Sequence, residues 1–247
     1  MTSLLNVEEL TGGYSPKKPV IEGVSFQIKA GEIVALIGLN GAGKSTTIKH
    51  ILGLLEPLDG RIEIRGQTKD NDLGRYRRTM GYIPETPILY EELTLWEHLR
   101  LTAMAYGIDD NTWQKRAETL IETYRMQKMT HWFPSHFSKG MRQKVMVMCA
   151  FLVEPKLYVV DEPFVGLDPV GIQSLLEQMV MMKENGAGIL MSTHILTTAE
   201  KHCDRFILLH DGRVYMQGTM EELRKQAGMP VADLDTLYIE MTKEPSV

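Results

Sequence analysis

A glycine-rich segment followed by lysine and serine has the residue types that bind phosphate groups. Gly38-Leu39-Asn40-Gly41-Ala42-Gly43-Lys44-Ser45 matches the pattern G-x-x-x-x-G-K-[ST] at every fixed position. Glycines let backbone N–H groups close around phosphate oxygens without Cβ clashes, and a helix beginning there adds partial positive charge. Lys44 is expected to reach the β- and γ-phosphates, and Ser45 to hold Mg²⁺. The alternative is an ordinary glycine-rich turn between a strand and a helix.

Two acidic residues follow a short apolar segment later in the chain. Leu157–Val160 is apolar throughout, and Asp161 and Glu162 come directly after it. In a parallel sheet, the C-terminal ends of the strands gather beside a phosphate loop. Asp161 could hold Mg²⁺ through its water shell, and Glu162 could orient and polarise an attacking water. The alternative is a solvated acidic strand end.

The elements that would position these groups alternate between strands and helices. Ile33–Leu36 is apolar like a strand buried on both faces, and it leads into the glycine-rich segment. Ile189–Met191 is apolar in the same way, and a helix from Pro169 to about Asn185, capped by Asp168, precedes it. This alternation indicates an α/β core with a largely parallel sheet.

Two other regions follow different patterns. Ser25–Ile28 and Arg61–Ile64 alternate polar and apolar residues, which predicts half-exposed antiparallel strands. From Thr94 to Val153 the apolar spacing is helical. Thr94 with Glu97 reads as a capping box, and Asn111 is predicted to cap the next helix. The helical block at 87–150 is therefore expected to be an insertion into the core.

The C-terminal part has fewer signals. Asp211-Gly212 predicts a hairpin turn between Phe206–Leu209 and Arg213–Met216. Thr219 with Glu222 predicts the start of a short final helix, and no clear period follows Gly228.

Composition narrows the functional class. The 247 residues carry a net charge of -5, which argues against a dedicated nucleic-acid binder. The two cysteines have no metal-ligand spacing, which fits a reduced cytosolic location. The longest apolar run, Val145–Val153, is far shorter than the roughly 20 residues of a spanning helix. We therefore expect the chain to associate with a membrane only through a partner.

Three further motifs complete an ordered set. Phe137-Ser138-Lys139-Gly140-Met141 precedes a helix, Gly166-Leu167-Asp168 follows the acidic pair, and Ser192-Thr193-His194 follows the next apolar strand. With the phosphate loop, these motifs in this order resemble the ATP-binding subunit of ABC transporters. The resemblance covers roughly residues 4 to 225. Each short motif is weak alone, whereas the ordered set is highly specific.

The resemblance implies a fold and a domain organisation. The fold class is α/β: a P-loop NTPase core with a mainly parallel sheet, an antiparallel β subdomain and an inserted α-helical subdomain. The whole chain, 1–247, is expected to form a single ATP-binding domain. Its nucleotide-binding core is expected at 1–86 and 151–225, its helical subdomain at 87–150 and a C-terminal tail at 226–247.

The resemblance also implies a site for ATP and Mg²⁺ that two copies of the chain share as a head-to-tail sandwich. Expected catalytic residues are Glu162, His194 and Lys44, and expected magnesium ligands are Ser45, Glu85 and Asp161. The residues expected to contact ATP are Tyr14, which stacks on adenine, then Gly38, Leu39, Asn40, Gly41, Ala42, Gly43, Lys44, Ser45 and Thr46, and, across the dimer, Ser138, Lys139, Gly140 and Asp168.

Two positions depart from the commonest family pattern. Glu85 stands where the family usually has glutamine, and Lys139 stands where the signature usually has its first glycine. Both changes resemble a variant found among ABC-2-type exporters and Ecs-type ATPase subunits.

The function implied is that of an ATP-hydrolysing motor, expected to serve an exporter. It would sit at the cytoplasmic face of the cell membrane on a separate integral membrane permease, without nucleic acid. One alternative is a soluble ABC-type ATPase acting on ribosomes or DNA. Such relatives usually carry two nucleotide domains or a long coiled-coil insertion, whereas this sequence has one phosphate loop and no heptads. A P-loop kinase is a third reading, which the signature and His194 disfavour.

Overall fold

The computed structural model describes residues 3–242, which form two β-sheets flanked by helices. The strands are β1 Ser3–Gly12, β2 Ile21–Lys29, β3 Ile33–Ile37, β4 Asp59–Ile64, β5 Met80–Ile83, β6 Leu157–Asp161, β7 Gly188–Thr193, β8 Arg205–His210 and β9 Arg213–Gly218. The α-helices are α1 Lys44–Ile51, α2 Leu73–Arg78, α3 Leu95–Tyr106, α4 Asp110–Thr123, α5 Lys139–Leu152, α6 Pro169–Glu184, α7 Leu196–His202, α8 Met220–Ala227 and α9 Leu234–Thr242. Short 3-10 helices span Gln127–Met129 and Pro134–His136. The predicted core also includes residues 1–2, and the predicted tail includes residues 243–247. These residues lie outside the described part of the chain.

The larger sheet has the strand order β5-β6-β7-β3-β8-β9 and is parallel except for β9. All five residues of β3 and of β6 are buried, which confirms the prediction from their continuous apolar runs. Since β6, β7 and β3 are neighbours, the segments that follow them emerge side by side at one edge of the sheet. This edge carries the phosphate loop, the acidic pair and His194.

The smaller sheet is antiparallel, with the order β2-β1-β4. Its strands β2 and β4 contain the two segments whose alternation predicted half-exposed antiparallel strands, so that prediction is confirmed. Its buried side chains share one core with α1 and with one face of the larger sheet, and they include Leu5, Val7 and Phe26. The small sheet therefore supports the helix that begins at the phosphate loop.

The helices between β5 and β6 pack on each other and on the opposite face of the larger sheet. The capping box of Thr94 and Glu97 is confirmed, and α5 ends at Leu152, just past the predicted boundary at 150. The predicted cap of α4 is wrong: Asp109, rather than Asn111, accepts the N–H of Thr112. The helix begins at Asp110, two residues earlier than predicted, since aspartate caps a helix as well as asparagine does.

The C-terminal part contains one more helix than the sequence patterns predicted. The hairpin between β8 and β9 and the capping box of Thr219 and Glu222 are both confirmed. The sequence shows no clear period after Gly228, but α9 occupies Leu234–Thr242, so the prediction that the helix beginning after Thr219 is the final one is wrong. Among residues 3–242, every helix is too short or too polar to cross a lipid bilayer.

Candidate functional site

The glycine-rich segment forms a tight loop between β3 and α1. Gly41 and Gly43 have φ angles of 88° and 105°, which L side chains rarely adopt. A Cβ on Gly43 would lie 2.6 Å from Cγ2 of Ile21. The loop therefore brings its backbone close to the small sheet in a way that only glycine allows, and its N–H groups lie at the start of α1.

Lys44 is the first residue of α1 and is buried, with 6% of its surface exposed. Its Nζ donates hydrogen bonds to the carbonyl oxygens of Gly38, at 2.7 Å, and Leu39, at 3.4 Å. The same atom lies 3.6 Å from Oε1 of Glu162. The loop carbonyls and Glu162 therefore share one ammonium group.

Glu162 lies directly after β6 with an unusual φ of 44°. Its main-chain N–H donates to the hydroxyl oxygen of Ser192 at 3.0 Å. Its Oε2 lies 2.8 Å from Nδ1 of His194 and accepts the main-chain N–H of His194 at 3.3 Å. The carboxylate is thereby fixed between Lys44 and His194, which come from two different strand ends.

Asp161 is the last residue of β6 and is buried. Burial raises the pKa of its carboxyl group, a hydrogen bond from Ser192 opposes that rise, and the charges of Glu85 and Glu162 add to it. The Ser192 hydroxyl donates to Oδ1 of Asp161 at 2.5 Å. Ser192 therefore orients both acidic residues. The sequence analysis did not assign Ser192 this role, because the role depends on the pairing of β6 with β7.

A cavity of about 400 Å³ lies above the loop. It brings together most of the residues predicted to contact nucleotide or metal, namely Tyr14, Leu39, Asn40, Gly41, Gly43, Lys44, Ser45, Thr46, Glu85, Glu162 and His194. Val20 also lines it and was not predicted. Gly38 contributes its carbonyl to Lys44, and Ala42 is buried beneath the loop.

Tyr14 stands exposed at the mouth of this cavity. Lys49 donates to its hydroxyl oxygen at 2.9 Å and also lies 5.1 Å from the ring centroid. The Lys49 hydrogen bond lowers the pKa of the Tyr14 phenol. The ring is thus held by a residue of α1, with most of its surface open to solvent.

The residues predicted to act across a dimer lie apart from the cavity. Ser138 caps α5 by accepting the N–H of Met141 at 3.3 Å, as predicted. The aliphatic carbons of Lys139 lie alongside Gly166, and Asp168 caps α6 and pairs with Lys144 at 3.0 Å. Within residues 3–242, the cavity lining includes neither these residues nor Gly140.

Two contacts connect the start of α5 to the segment between β5 and α3. Arg142 meets Glu91 through two hydrogen bonds of 2.7 and 3.1 Å. The buried amide of Gln143 donates to the carbonyl oxygen of Pro84 at 3.1 Å, next to Glu85. This segment is therefore bonded to α5 at both ends, one of which adjoins the cavity.

Comparison with known proteins agrees with the geometry. A family model described as ABC transporter matches residues 21–165. The ABC-type transporter ATP-binding protein EcsA of Bacillus subtilis (strain 168) is 60% identical, over 98% of both chains. The Nod factor export ATP-binding protein I of Ralstonia nicotianae (strain ATCC BAA-1114 / GMI1000) is 32% identical, over 90% of this chain and 69% of that protein.

A solved structure of the ATP-binding subunit of an ABC transporter has the same fold. It matches with a TM-score of 0.95 and 56% identity, over 98% of this chain and 100% of that one. The resemblance inferred from the ordered motifs is thus confirmed by sequence and by fold. The chain belongs to the ABC transporter family, as an ATP-binding subunit that hydrolyses ATP.

Proposed function

We propose that the chain is the motor of an exporter and acts from the cytoplasmic face of the membrane on a separate integral membrane permease. The observation that carries this proposal is an exposed apolar segment between β5 and α3, where Ile88 and Tyr90 are 80% and 61% exposed. Glu91 and Pro84 of this segment form hydrogen bonds with α5, so a partner bound to the segment would be linked through it to the nucleotide site. A relative named for Nod factor export supports the direction of transport.

The apolar segment suits a partner that presents an amphipathic helix. Such helices bind in grooves through a few apolar anchors, and Tyr90 is open to solvent here. Leu93 and Trp96 are half-buried, and Trp96 packs on Trp113 with ring centroids 4.9 Å apart. Tyr90 is therefore the most accessible anchor of the three. In this proposal, the helical subdomain at 87–150 receives the permease, while 1–86 and 151–225 form the nucleotide-binding core and 226–247 the tail.

Replacing Tyr90 by alanine tests the docking role. We expect Tyr90→Ala to reduce the fraction of protein recovered with washed native membranes several-fold, because the main apolar anchor is lost. ATP hydrolysis by the purified variant should remain normal, since Tyr90 does not line the cavity. Tyr215→Ala is the matched control, since Tyr215 is 59% exposed but lies on β9. Equal membrane recovery of both variants would refute the docking role.

The active unit in this proposal is a dimer of two copies with two ATP molecules between them. Ser138, Lys139 and Gly140 lie away from the cavity of their own chain, and the N–H groups at the start of α5 suit a γ-phosphate held by the other copy. Asp168 then acts across the interface. ATP favours the closed dimer because it contacts both copies, and hydrolysis removes that link.

Within each cavity we assign one role to each group. The backbone from Gly38 to Thr46 encloses the phosphates, and Tyr14 stacks on adenine. Lys44 binds the β- and γ-phosphates, Glu162 polarises the attacking water, and His194 contacts the γ-phosphate. The hydrogen bond between Glu162 and His194 supports this assignment, because it holds the two side chains together on the lining of the cavity.

Ser45, Asp161 and Glu85 would hold Mg²⁺. Among residues 3–242, no group of three or more acidic, histidine or cysteine side chains is arranged to hold a metal ion. Ser45 and Glu85 line the cavity, and the charge of Glu85 acts on Asp161. Two carboxylates and a hydroxyl suit magnesium, which typically binds one or two carboxylates and completes its shell with phosphates and water. When bound, the ion would neutralise charge that develops on the phosphates.

Glu85 offers a test of the metal set. Its carboxylate should bind Mg²⁺ better than an amide does and should repel a triphosphate when the metal is absent. We expect Glu85→Gln to bind ATP more tightly without magnesium and to gain about tenfold less from adding it, given the energy of a near charge pair. ATP affinity across a magnesium titration measures both effects. Superimposable titrations of the two proteins would place Glu85 outside the metal shell.

A further inference from the structure

His98, in the first turn of α3, contacts the exposed anchor Tyr90. The histidine is buried, with 5% of its surface exposed. Its Nε2 accepts the main-chain N–H of Tyr90 at 3.0 Å, and the two ring centroids lie 6.2 Å apart. The carbonyl oxygen of Tyr90 accepts the N–H of Leu93 at 3.2 Å. Both main-chain polar groups of the anchor are therefore bonded, one of them to a buried imidazole.

The hydrogen bonds of His98 are compatible with one protonation state of its ring. A main-chain N–H can only donate, so Nε2 must carry a lone pair. Nδ1 lies 2.8 Å from the carbonyl oxygen of Thr94, which can only accept, so Nδ1 must carry the hydrogen. A second proton on Nε2 would face the N–H of Tyr90. The bond to Tyr90 therefore requires the neutral imidazole.

The surroundings of His98 favour this neutral ring. Burial lowers the pKa of His98, while the backbone of Thr94 and the charges of Glu97 and Glu91 oppose that fall. Glu97 lies on α3, and Glu91 belongs to the exposed segment and is already paired with α5. His131, from the loop whose backbone bonds to the start of α3, acts on Glu97. The carboxylates near His98 thus have other partners, and burial outweighs them.

We propose that His98 is a positioning residue for the permease: its neutral imidazole holds Tyr90 in the orientation that the partner binds. An anchor that is already ordered loses less conformational freedom on binding, which favours docking. Protonation of the ring breaks the bond and releases the anchor. The inference rests on the docking role proposed above for Tyr90.

The direction of the pH dependence follows from the two states of the ring. In the released segment, His98 has the usual histidine pKa of about 6.5. In the bonded segment its pKa is lower, so protons bind preferentially to the released form. The bond is therefore fully present above about pH 6.5 and is lost progressively as the pH falls below that value.

Two variants of His98 test the proposal. Glutamine carries an oxygen that accepts the Tyr90 N–H at any pH, whereas leucine carries no acceptor. Recovery of the unaltered protein with washed native membranes should fall about 2- to 10-fold between about pH 7.5 and 5.5, the range of one ordinary hydrogen bond. His98→Gln should keep the higher recovery at both pH values, and His98→Leu should show the lower recovery at both.

His202→Gln is the matched control, since His202 also has a pKa lowered by burial but lies on α7. It should keep the pH dependence of the unaltered protein. A parallel fall of His98→Gln and the unaltered protein would overturn the proposal, and so would normal recovery of His98→Leu at pH 7.5. If the docking proposal itself is wrong, Tyr90→Ala is recovered normally, whereas an error about His98 alone leaves the Tyr90→Ala loss in place.

Nuclear magnetic resonance tests the bond without a membrane. The ring nitrogen resonances of His98 at pH 7.5 should show a neutral imidazole with its hydrogen on Nδ1. The amide resonance of Tyr90 should keep its hydrogen-bonded position in His98→Gln and lose it in His98→Leu. A hydrogen on Nε2, or a Tyr90 amide that is the same in both variants, would refute the positioning role whether or not the segment binds a permease.

Discussion

The Glu162→Gln protein is expected to bind ATP and to hydrolyse it about 100- to 10,000-fold more slowly at steady state, the usual contribution of a general base. Glutamine has the same shape and can still accept the main-chain N–H of His194. It cannot take a proton from water, and it loses the charge that lies 3.6 Å from Lys44. We therefore expect the variant to bind ATP normally but to hydrolyse it slowly.

A phosphate-release assay measures ATP hydrolysis by the variant, and light scattering measures its dimerisation. With ATP and magnesium, the variant should accumulate as a dimer, because the nucleotide that joins the copies is no longer consumed. Glu177→Gln, the same change at an exposed position on α6, is the control and should behave as the unaltered protein. Near-normal hydrolysis by Glu162→Gln would remove Glu162 from its proposed role.

Gly140→Ala is expected to reduce turnover about 10- to 100-fold. A loss of this size is expected when catalytic groups are displaced by up to about one ångström. A Cβ on Gly140 would lie 2.6 Å from the carbonyl oxygen of Gly166. Because the obstacle is backbone, either the start of α5 or the loop before Asp168 must move. Both are proposed to face the second copy, so the shift would disturb two contacts across the dimer at once.

The matched control for this variant is Gly74→Ala. Gly74 also lies in a helix, but the nearest atom to its added Cβ would be a side-chain oxygen of Asp72 at 3.3 Å. That change should leave turnover unaltered. ADP binding by Gly140→Ala should also be preserved, because Gly140 does not line the cavity. Full turnover with Gly140→Ala would show that α5 and the loop can separate freely.

The parts of the molecule that were predictable from sequence depend on local chemistry. The phosphate loop requires glycine at fixed spacing, and Gly43 does adopt a conformation that other residues avoid. The caps at Thr94, Ser138 and Thr219 follow from side chains that can bond to backbone three residues ahead. Buried strands such as β3 and β6 are recognisable because both of their faces are apolar.

The parts that escaped prediction depend on tertiary contacts or on competing local signals. Helix α9 places Leu234, Leu237 and Tyr238 on one face, but nine residues are too few for that period to be clear. Asp233 gave the better signal, since its side chain accepts the N–H of Thr236 at 2.8 Å. The role of Ser192 could not be inferred, because it follows from the pairing of β6 with β7.

The two hydrogen bonds between Glu91 and Arg142 also bear on how force passes through the molecule. A carboxylate and a guanidinium that meet through parallel bonds share a plane, so the joint resists twisting as well as separation. A single hydrogen bond would allow the two groups to rotate about it and would restrict only the distance between them. In the docking proposed above, a permease that rolls the segment at Tyr90 would exert a torque on the first turn of α5, and the motor would then respond to the orientation of its partner as well as to its presence.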